Sequence, residues 1–534
     1  MSTYPNFVGP AYRLKGPNTA ADRCVNMYPS TIQSGTGKGR MSLEQTPGLT
    51  TFGTLPKSPC RALWPGDNRL FAVGGDTLYE VSNVGVSTSV GAISSDATPA
   101  TILANGVGTQ LLIVSGDEVW VTNGGAPVRP SYDTLTSTVN TSGTAVEWVD
   151  GDKFTATMVG TTITITAVNY TVFEYLDDQH ITLTTSAGTQ TSAALSWVDY
   201  VLGVAAAYLG GYFIILKPDS NTLNVSGINN GNEWNALDFQ QRISRPDRLR
   251  MIYTVGQTLW LFGSTSSEGW YLTSNDFPLA PIDGSVINFG IWAPWSVAAV
   301  SDNSFMWLSR SDLGLGSVRI MNGLKASTVS TYAVDMAIRS YATSTDAIAF
   351  SYSENGHTFY VINFPTASKT WAYDVGENAW HERAYSTSLT GQKQGFQAAV
   401  FSKNIVGAVA SGALYEQSQA YYNDAGTTIR RIRQAPVLSE EELWTFFEYF
   451  TLDYDSGNIS GSAPTFTLEI SNDGGNTFPT SITLTGGAAG DYTKRVKANR
   501  LGRSRNRVFK LTTDDAVFQS WVNAYLGISQ GTGV

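Results

Sequence analysis

The chain has 534 residues and a net charge of −10, and only 15% of its residues are charged, against roughly 25% in ordinary soluble proteins. It contains 52 Gly and 12% aromatic residues, a mixture that favours strands and tight turns and excludes a helical bundle, a coiled coil or a mainly disordered chain. Proteins that wrap nucleic acid for affinity are usually basic, so the negative balance indicates ordinary solubility or a surface along which DNA slides without sticking.

Residues 1–60 are rich in Gly and show little periodicity, so we expect an extended N-terminal arm with turns. The first residues lack the basic start and apolar run of a signal peptide, and we therefore expect synthesis in the cytoplasm. Cys24 and Cys60 are the only cysteines, which excludes a disulfide scaffold; they could pair, but two free thiols fit a reducing compartment better. Residues 35–39 lack the flanking strand and helix of a phosphate-binding loop and are interpreted as a flexible loop.

Strand–turn–strand patterns recur along most of the chain. Seven copies begin near residues 70, 111, 212, 259, 305, 359 and 405, and most intervals match a propeller blade of about 40–50 residues. A four-stranded blade cannot bury both faces alone, so blades stack around an axis. The spacing predicts a β-propeller of six or seven blades over residues 61–129 and 200–435. An unrelated run of hairpins in β-sandwiches is the alternative.

One interval between copies is too long by about a blade and is occupied by a Thr-rich segment. Residues 151–190 contain 11 Thr, and residues 161–166 and 181–184 alternate with period two. We expect residues 130–199 to form a small inserted β-domain that serves as a spacer or contact platform.

The longest apolar stretch, residues 201–216, follows this segment. It is interrupted by Gly203, Gly210 and Gly211 and is shorter than the roughly 20 residues that a membrane span needs. It predicts two buried strands joined by a Gly turn, and no membrane span.

Residues 436–534 are predicted to form a C-terminal β-sandwich. Ser439 and the glutamates at 440–442 could cap a short helix, and strand patterns follow near residues 446–454, 465–470, 481–485, 507–511 and 518–525. Ser471, Asp473, Gly475, Thr477 and Phe478 resemble an Asp-box, a motif in which the Asp side chain bonds the backbone amides of a hairpin turn. Because it occurs once and outside the repeats, we interpret it as a stabilised hairpin.

A basic run within this last domain is the strongest candidate contact site. It holds eight cations and no acid, which leaves the rest of the chain with 26 basic and 44 acidic residues, or −18. Three readings are open: a solvated strand face, a contact with an acidic neighbouring subunit, or a contact with DNA phosphates. No aromatic residue stands between Lys494 and Arg507, which argues against a stacking platform for single strands. The members are Lys494, Arg495, Lys497, Arg500, Arg503, Arg505, Arg507 and Lys510.

No catalytic or cofactor-binding pattern is recognisable. His180, His357 and His381 are far apart in the sequence and have no metal-ligand spacing, and nucleophile-elbow, Walker and zinc-protease motifs are missing. We therefore expect no enzyme activity, cofactor or metal site. Glycosidase carboxylates come from distant positions, so a sialidase-like propeller stays open as an alternative, as does a glycan- or protein-binding propeller without chemistry.

Two short motifs resemble the tail hub, or nozzle, proteins of short-tailed bacteriophages. Cys24-Val25-Asn26-Met27-Tyr28-Pro29 is followed by Thr46-Pro47-Gly48-Leu49 ahead of the first blade, and the Asp473-Gly474-Gly475 hairpin precedes an Arg-rich strand near the C-terminus. The resemblance implies a hexameric ring in the virion tail, below the portal and its adaptor protein. Such a ring holds packaged DNA, conducts duplex DNA during ejection without reading its sequence, and carries a tail needle, fibres or spikes. The segment 130–199 departs from smaller family members, which leaves the outer contacts open.

Overall fold

The computed structural model describes residues 2–13, 20–32, 41–312, 314–439, 443–459 and 462–530, and this part of the chain is almost entirely β. It contains one α-helix, Tyr332–Arg339, and two short 3₁₀ turns, Ala156–Met158 and Pro294–Ser296. No described helix is long and apolar enough to cross a membrane. The predicted fold class is confirmed: a β-propeller, an inserted β-domain and a β-sandwich. The segments at 35–39 and 440–442 lie outside the described residues.

The propeller has seven blades, and the first strands of successive blades lie side by side around its axis. Blade 5 has two short inner strands that both pair with Ser304–Ser311. The strands, from the axis outwards, are Cys60–Gly66, Arg69–Gly74, Thr77–Val81 and Ser87–Ala92 in blade 1; Thr101–Ala104, Leu111–Ser115 and Glu118–Thr122 in blade 2; Ala205–Leu209, Tyr212–Leu216, Thr222–Gly227 and Asn230–Gln241 in blade 3; Leu249–Val255, Thr258–Gly263, Ser267–Leu272 and Leu279–Pro281 in blade 4; Gly290–Ile291, Ala298–Ser301, Ser304–Ser311, Gly314–Asn322 and Lys325–Thr328 in blade 5; Ile348–Glu354, His357–Phe364, Lys369–Asp374 and Ala379–Arg383 in blade 6; and Gln394–Val400, Lys403–Ala408, Ala413–Ser418 and Gly48–Thr54 in blade 7, with Asn423–Asp424 and Thr427–Thr428 beyond it.

The second strand of each blade produced the repeat seen in the sequence. All seven onsets fall within or at the start of a second strand, from Arg69–Gly74 in blade 1 to Lys403–Ala408 in blade 7. These strands are packed against neighbouring blades on both faces; Tyr212–Leu216, for example, has four fully buried residues in a row. A strand buried on both faces has a continuous apolar sequence, which is why it repeats more visibly than the outer strands do.

The N-terminal residues differ from the extended arm that we expected, because they supply strands to three sheets. Gly48–Thr54 pairs antiparallel with Ala413–Ser418 and closes blade 7, so the ring is sealed by a strand from the opposite end of the chain. Gly48 begins this strand at a close approach: a Cβ atom there would lie 2.5 Å from the carbonyl oxygen of Tyr421. The other N-terminal strands are Ser2–Thr3, Tyr12–Arg13, Ala21–Val25, Met27–Thr31 and Met41–Gln45.

The inserted domain is a closed six-stranded barrel over residues 131–200. Its interior is apolar, with Val139, Ile163 and Leu195 almost fully buried, whereas the intervening Thr residues face outwards. The chain leaves and re-enters the propeller at the outer edge of blade 2, where Val128 pairs with Val121 and Leu202 pairs with Glu118. The barrel therefore stands where blade 2 would have a fourth strand. Its strands are Ser131–Ser142, Ala145–Gly151, Thr162–Ile165, Val168–Asp177, His180–Leu183 and Gln190–Tyr200.

The C-terminal domain is a sandwich of two sheets around a core that includes Phe450, Phe509 and Trp521. The second sheet continues into blade 6, because Ala21–Val25 pairs parallel with Ala379–Arg383 and antiparallel with Arg431–Gln434. The first sheet contains Ser2–Thr3, Met27–Thr31, Met41–Gln45, Ser520–Gln530, Thr445–Tyr454, Val496–Asn499 and Arg503–Ser504; the second adds Tyr12–Arg13, Leu438–Ser439, Asn506–Thr513, Thr465–Ser471 and Thr480–Thr485.

Candidate functional site

Six of the eight predicted contact residues lie exposed at one edge of the first sandwich sheet. Val496–Asn499 is the last strand on this side and pairs with Thr445–Tyr454, which also pairs with Arg503–Ser504. We call the six exposed cations the basic face. They are Lys494, Arg495, Lys497, Arg500, Arg503 and Arg505.

Arg507 does not belong to this surface, and the predicted contact role does not fit it. Its side chain is 1% exposed, and Nη1 donates a hydrogen bond to the carbonyl oxygen of Leu501 at 2.8 Å. The guanidinium lies 4.5 Å from the ring centroid of Phe447 and 5.5 Å from that of Phe509. Burial lowers the pKa of Arg507 to about 10, so the group still carries its charge at neutral pH and serves the sandwich core.

Lys510 is neutralised where it stands. Its ammonium forms an ion pair with Glu469 at 2.7 Å and lies 4.6 Å from the ring centroid of Phe478. Glu469 comes from the neighbouring strand Thr465–Ser471, in direct register with Lys510. This pair links two strands of the second sheet, away from the basic face.

Aromatic rings from other parts of the chain support four of the six cations of the basic face. Lys497 lies 4.4 Å from the ring centroid of Tyr449, and Arg495 lies 5.9 Å from that of Tyr525. Arg503 and Arg505 lie 4.5 Å and 5.0 Å from the ring of Trp444. Cation–π contact stabilises each charged group and restricts a long side chain before any partner arrives, which lowers the entropy lost on binding. The fold thus supplies the aromatic groups that are missing between Lys494 and Arg507 in the sequence.

Acidic groups neutralise little of the basic face. Arg495 lies 3.7 Å from the carboxylate of Asp453, a residue whose side chain is almost fully buried. Within the described ranges, none of the other five cations forms an ion pair. Five unneutralised charges on one strand edge attract anions, whether carboxylates of a protein or phosphates of DNA.

His357 takes part in a polar chain that sequence reasoning missed. Its Nδ1 lies 2.6 Å from a carboxylate oxygen of Asp374, and its Nε2 lies 3.2 Å from the hydroxyl of Ser30. The carboxylate also accepts hydrogen bonds from the backbone N–H groups of Gly376 and Glu377, yet burial raises the pKa of Asp374. Since Ser30 belongs to the sandwich and the other groups to blade 6, the chain fastens the two domains together.

His381 and the two cysteines are buried in the core. His381 is fully buried, and burial lowers its pKa well below the usual value. Cys24 and Cys60 are free and buried, and burial raises their thiol pKa values to about 11 and about 12. In the part of the chain that the structure describes, no three His, Cys, Asp or Glu side chains are grouped to hold a metal ion.

The axis of the propeller holds an uncharged cavity of about 550 Å³. It is lined by first-strand residues of the blades and by Trp295 and Val297, and includes the side chains of Met251, Tyr253 and Phe396; none of its lining residues is charged. A cavity of this size and character does not admit duplex DNA. Any duplex that this protein surrounds must therefore pass outside the propeller axis.

Comparisons with known proteins identify both large domains. The family model described as "Bacteriophage P22 Gp10, beta-propeller" matches residues 170–420, and the model "Bacteriophage P22 Gp10, beta-sandwich" matches residues 430–529. Together they match more than half of the chain. The propeller match begins inside the barrel, so blades 1 and 2 lie outside the matched residues. No curated protein matches the chain.

Solved structures are similar only at a coarse level. The computationally designed Ika8 protein is 10% identical, with a TM-score of 0.35, and the match covers 69% of this chain and 99% of that protein. The WD40 propeller domain of Doa1 is 11% identical (TM-score 0.35; 70% and 97% covered), and the Neurospora crassa Pan2 WD40 domain is 7% identical (TM-score 0.36; 69% and 94% covered). The propeller assignment rests on the chain's own sheets and on the family models.

Proposed function

The chain belongs to the bacteriophage P22 Gp10 family of tail hub, or nozzle, proteins, and we propose that copies of it form a ring that continues the DNA channel below the portal and its adaptor. It is a structural component of the virion tail. In our proposal the ring retains packaged DNA and conducts it during ejection. The observation that carries this proposal beyond family membership is the separation of the exposed basic face from an otherwise acidic chain.

The propeller axis argues for a channel between copies. Because the axial cavity is small and lined by the inner strands of the blades, one chain alone offers duplex DNA no passage through its propeller. A closed ring of identical copies encloses a channel with a single kind of interface. We propose six copies, the number that the resemblance to nozzle proteins implies.

The charge distribution favours an acidic channel wall. Outside residues 494–510 the chain carries 26 basic and 44 acidic residues. An acidic wall repels phosphates and lets DNA slide, whereas each phosphate that a Lys or Arg neutralises adds affinity. A ring that presented every basic face to the channel would hold the DNA in place.

We therefore assign the basic face to protein contact, with an acidic surface of the neighbouring copy or of the adaptor as its partner. The cations are exposed, largely unneutralised and supported by aromatic rings, as expected for a surface prepared for an anionic protein partner. Two alternatives remain for an experiment to separate. The basic face could contact DNA, or it could be a solvated edge strand on which charge only prevents strand-to-strand association.

The test is a charge reversal examined on portal particles. The variant carries Lys497→Glu, Arg503→Glu and Arg505→Glu; Arg507 is left intact because it is buried. We expect the variant to unfold at the same denaturant concentration as the unaltered protein and to leave no ring at the portal vertex in electron micrographs. The matched control reverses three exposed propeller cations, Arg248, Arg310 and Lys325, and is expected to assemble.

Each outcome of this experiment separates the alternatives. If the variant forms rings of normal appearance that retain DNA, the basic face is a solvated edge strand without a contact role. Rings that form but release DNA would show that the basic face contacts DNA. Failure of the unaltered protein to form a ring with portal and adaptor would overturn the hub proposal itself.

We also propose that the assembled ring carries further tail proteins, namely a needle, fibres or spikes, and that the barrel at residues 131–200 provides part of their platform. A glycan-cleaving propeller has less support. The carboxylate of Asp473 in the one Asp-box accepts hydrogen bonds from the backbone N–H groups of Asn476 and Thr477, as a turn-stabilising residue does.

A further inference from the structure

A cleft of about 840 Å³ opens between blades 1 and 2, within the roughly 300–1,000 Å³ typical of ligand sites. It lies on the propeller face that carries the turns joining first and second strands. Its wall includes Trp64, Arg69, Phe71, Glu80 and the Gly-rich turns at 105–109 and 122–124. Blades 1 and 2 lie outside the residues matched by the propeller family model.

Trp64 gives the cleft an aromatic wall that is fixed in orientation. Gly66 packs flat against the indole: a Cβ atom at Gly66 would lie 1.9 Å from a ring carbon of Trp64. Phe71 supports the indole at 6.1 Å between ring centroids. Trp64 is partly buried, and the accessible part of its indole lines the cleft, where a ligand can contact it.

A bidentate polar pair stands beside this wall. Nε and Nη2 of Arg69 donate to the two carboxylate oxygens of Glu80, both at 2.7 Å, and the guanidinium lies 4.7 Å from the ring centroid of Phe71. Hydrogen bonds from Arg69 lower the pKa of Glu80, so the pair is ionised at neutral pH. Within the described residues Nη1 of Arg69 makes no hydrogen bond. The pair therefore offers a free donor next to carboxylate oxygens that retain acceptor capacity.

The wall excludes two other classes of ligand. Its charged members are Asp67, Arg69 and Glu80, a net charge of −1, which disfavours nucleotides and other polyanions. A peptide strand has no free edge to extend on blade 2, because Val128 and Leu202 already pair with its outer strand. Neither a phosphate-binding site nor β-strand addition fits the cleft.

We propose that this cleft binds a neutral oligosaccharide of the bacterial surface. The C–H face of a hexose packs against an exposed indole, and its vicinal hydroxyls pair with a fixed donor and acceptor. The combination of Trp64 with the Arg69–Glu80 pair presents both groups on one wall. The inference is independent of the proposed ring, since one chain contains the whole cleft.

The test uses the full-length protein on an array of bacterial surface polysaccharides, followed by titration with an oligosaccharide released from the strongest neutral spot. We expect binding to at least one neutral polysaccharide. Trp64→Ala is expected to weaken it by about tenfold or more, and Arg69→Gln, at an exposed position, to weaken it without loss of folding. Trp64→Phe, which keeps a ring, is expected to be intermediate.

The matched control is Trp148→Ala. Trp148 is a partly buried residue of the barrel, and the ammonium of Lys153 lies 3.4 Å from its ring centroid. This variant is expected to bind like the unaltered protein. Absence of binding across the array, binding confined to acidic polysaccharides, or binding that Arg69→Gln and Trp64→Phe leave unchanged would overturn the proposal.

Discussion

The side chain of Asn26 forms a pair of hydrogen bonds with the backbone of Ala384: Oδ1 accepts from its N–H at 2.8 Å, and Nδ2 donates to its carbonyl oxygen at 2.9 Å. Nδ2 also donates to the carbonyl oxygen of Arg430 at 2.9 Å. Asn26 is fully buried and has φ of 55°, a left-handed conformation that Asn tolerates better than most residues. One side chain therefore fastens blade 6 to the segment that leads into the sandwich.

Replacement of this residue should destabilise both domains together. Asn26→Ala leaves three buried backbone groups without their partner and places Ala at positive φ, so we expect a loss of about 3 kcal/mol or more in the free energy of unfolding. Urea unfolding measures it. Asn68→Ala, at an exposed position with φ of 56°, isolates the contribution of backbone strain and should cost less than half as much. Equal losses in the two variants would contradict the role of the buried hydrogen bonds.

Two arginines of the same basic run should respond differently to truncation. Arg507→Ala removes a buried guanidinium, its hydrogen bond to Leu501 and its packing on Phe447, and should cost about 2–3 kcal/mol. Arg503→Ala, on the surface, should change stability by less than about 0.5 kcal/mol. Both variants lose one positive charge, so a difference in urea unfolding reflects burial alone. A stable Arg507→Ala protein would show that this side chain does not support the core.

Asp424 should make stability fall as the pH rises. Burial raises its pKa from 3.8 to about 7, so between these values the folded chain keeps a proton that the unfolded chain has released. The stabilisation is fully present below the unfolded pKa and is lost as the pH rises through about 7. Urea unfolding measured from about pH 5 to about pH 8 should show a smaller decrease in the free energy of unfolding for Asp424→Asn than for the unaltered protein. Asp276→Asn removes the same charge at an exposed position, and the stability of this variant should fall with pH as steeply as that of the unaltered protein.

The hairpin around Asp473 should depend on that carboxylate. It accepts hydrogen bonds from the hydroxyls of Ser471 and Thr477, both at 2.6 Å, in addition to the turn amides, and these bonds hold the pKa of Asp473 well below its usual range. The stabilisation is therefore present above the unfolded pKa and is lost only in strong acid. Asp473→Asn should speed hydrogen exchange at the N–H groups of Asn476 and Thr477. Exchange at the blade 2 hairpin, near Gly116, should not change.

Much of the fold could be predicted because one strand in each blade is buried on both faces. The second strands have continuous apolar sequences, so their spacing predicted six or seven blades and the order in which they follow one another. The N-terminal strands could not be recognised, because their partners come from distant parts of the chain. Gly48–Thr54 pairs with Ala413–Ser418, and no local pattern specifies such a pairing.

The sequence predicted the cluster of positive charges at the candidate site, but not which of them share an exposed surface. Residues 494–510 stand out by composition, whereas Trp444, Tyr449 and Tyr525, which support four of the cations, come from other parts of the chain. The position of Arg507 could have been inferred, since strand alternation places it on the same face as Phe509 and Leu511. The cleft beside Trp64 left no sequence signal, because its wall combines turns from two blades.

The strand Gly48–Thr54 leaves the ribosome long before its partner Ala413–Ser418 is made. Until then blade 7 is open, and the sandwich still lacks Ser520–Gln530, the strand with which Ser2–Thr3 and Met41–Gln45 pair. A chain cut short before Ala413–Ser418 can complete neither unit, and one cut short before Ser520–Gln530 cannot complete the sandwich. The sandwich is therefore complete only after its last strand is made, and in the proposed ring this order would keep incomplete copies out of the assembly.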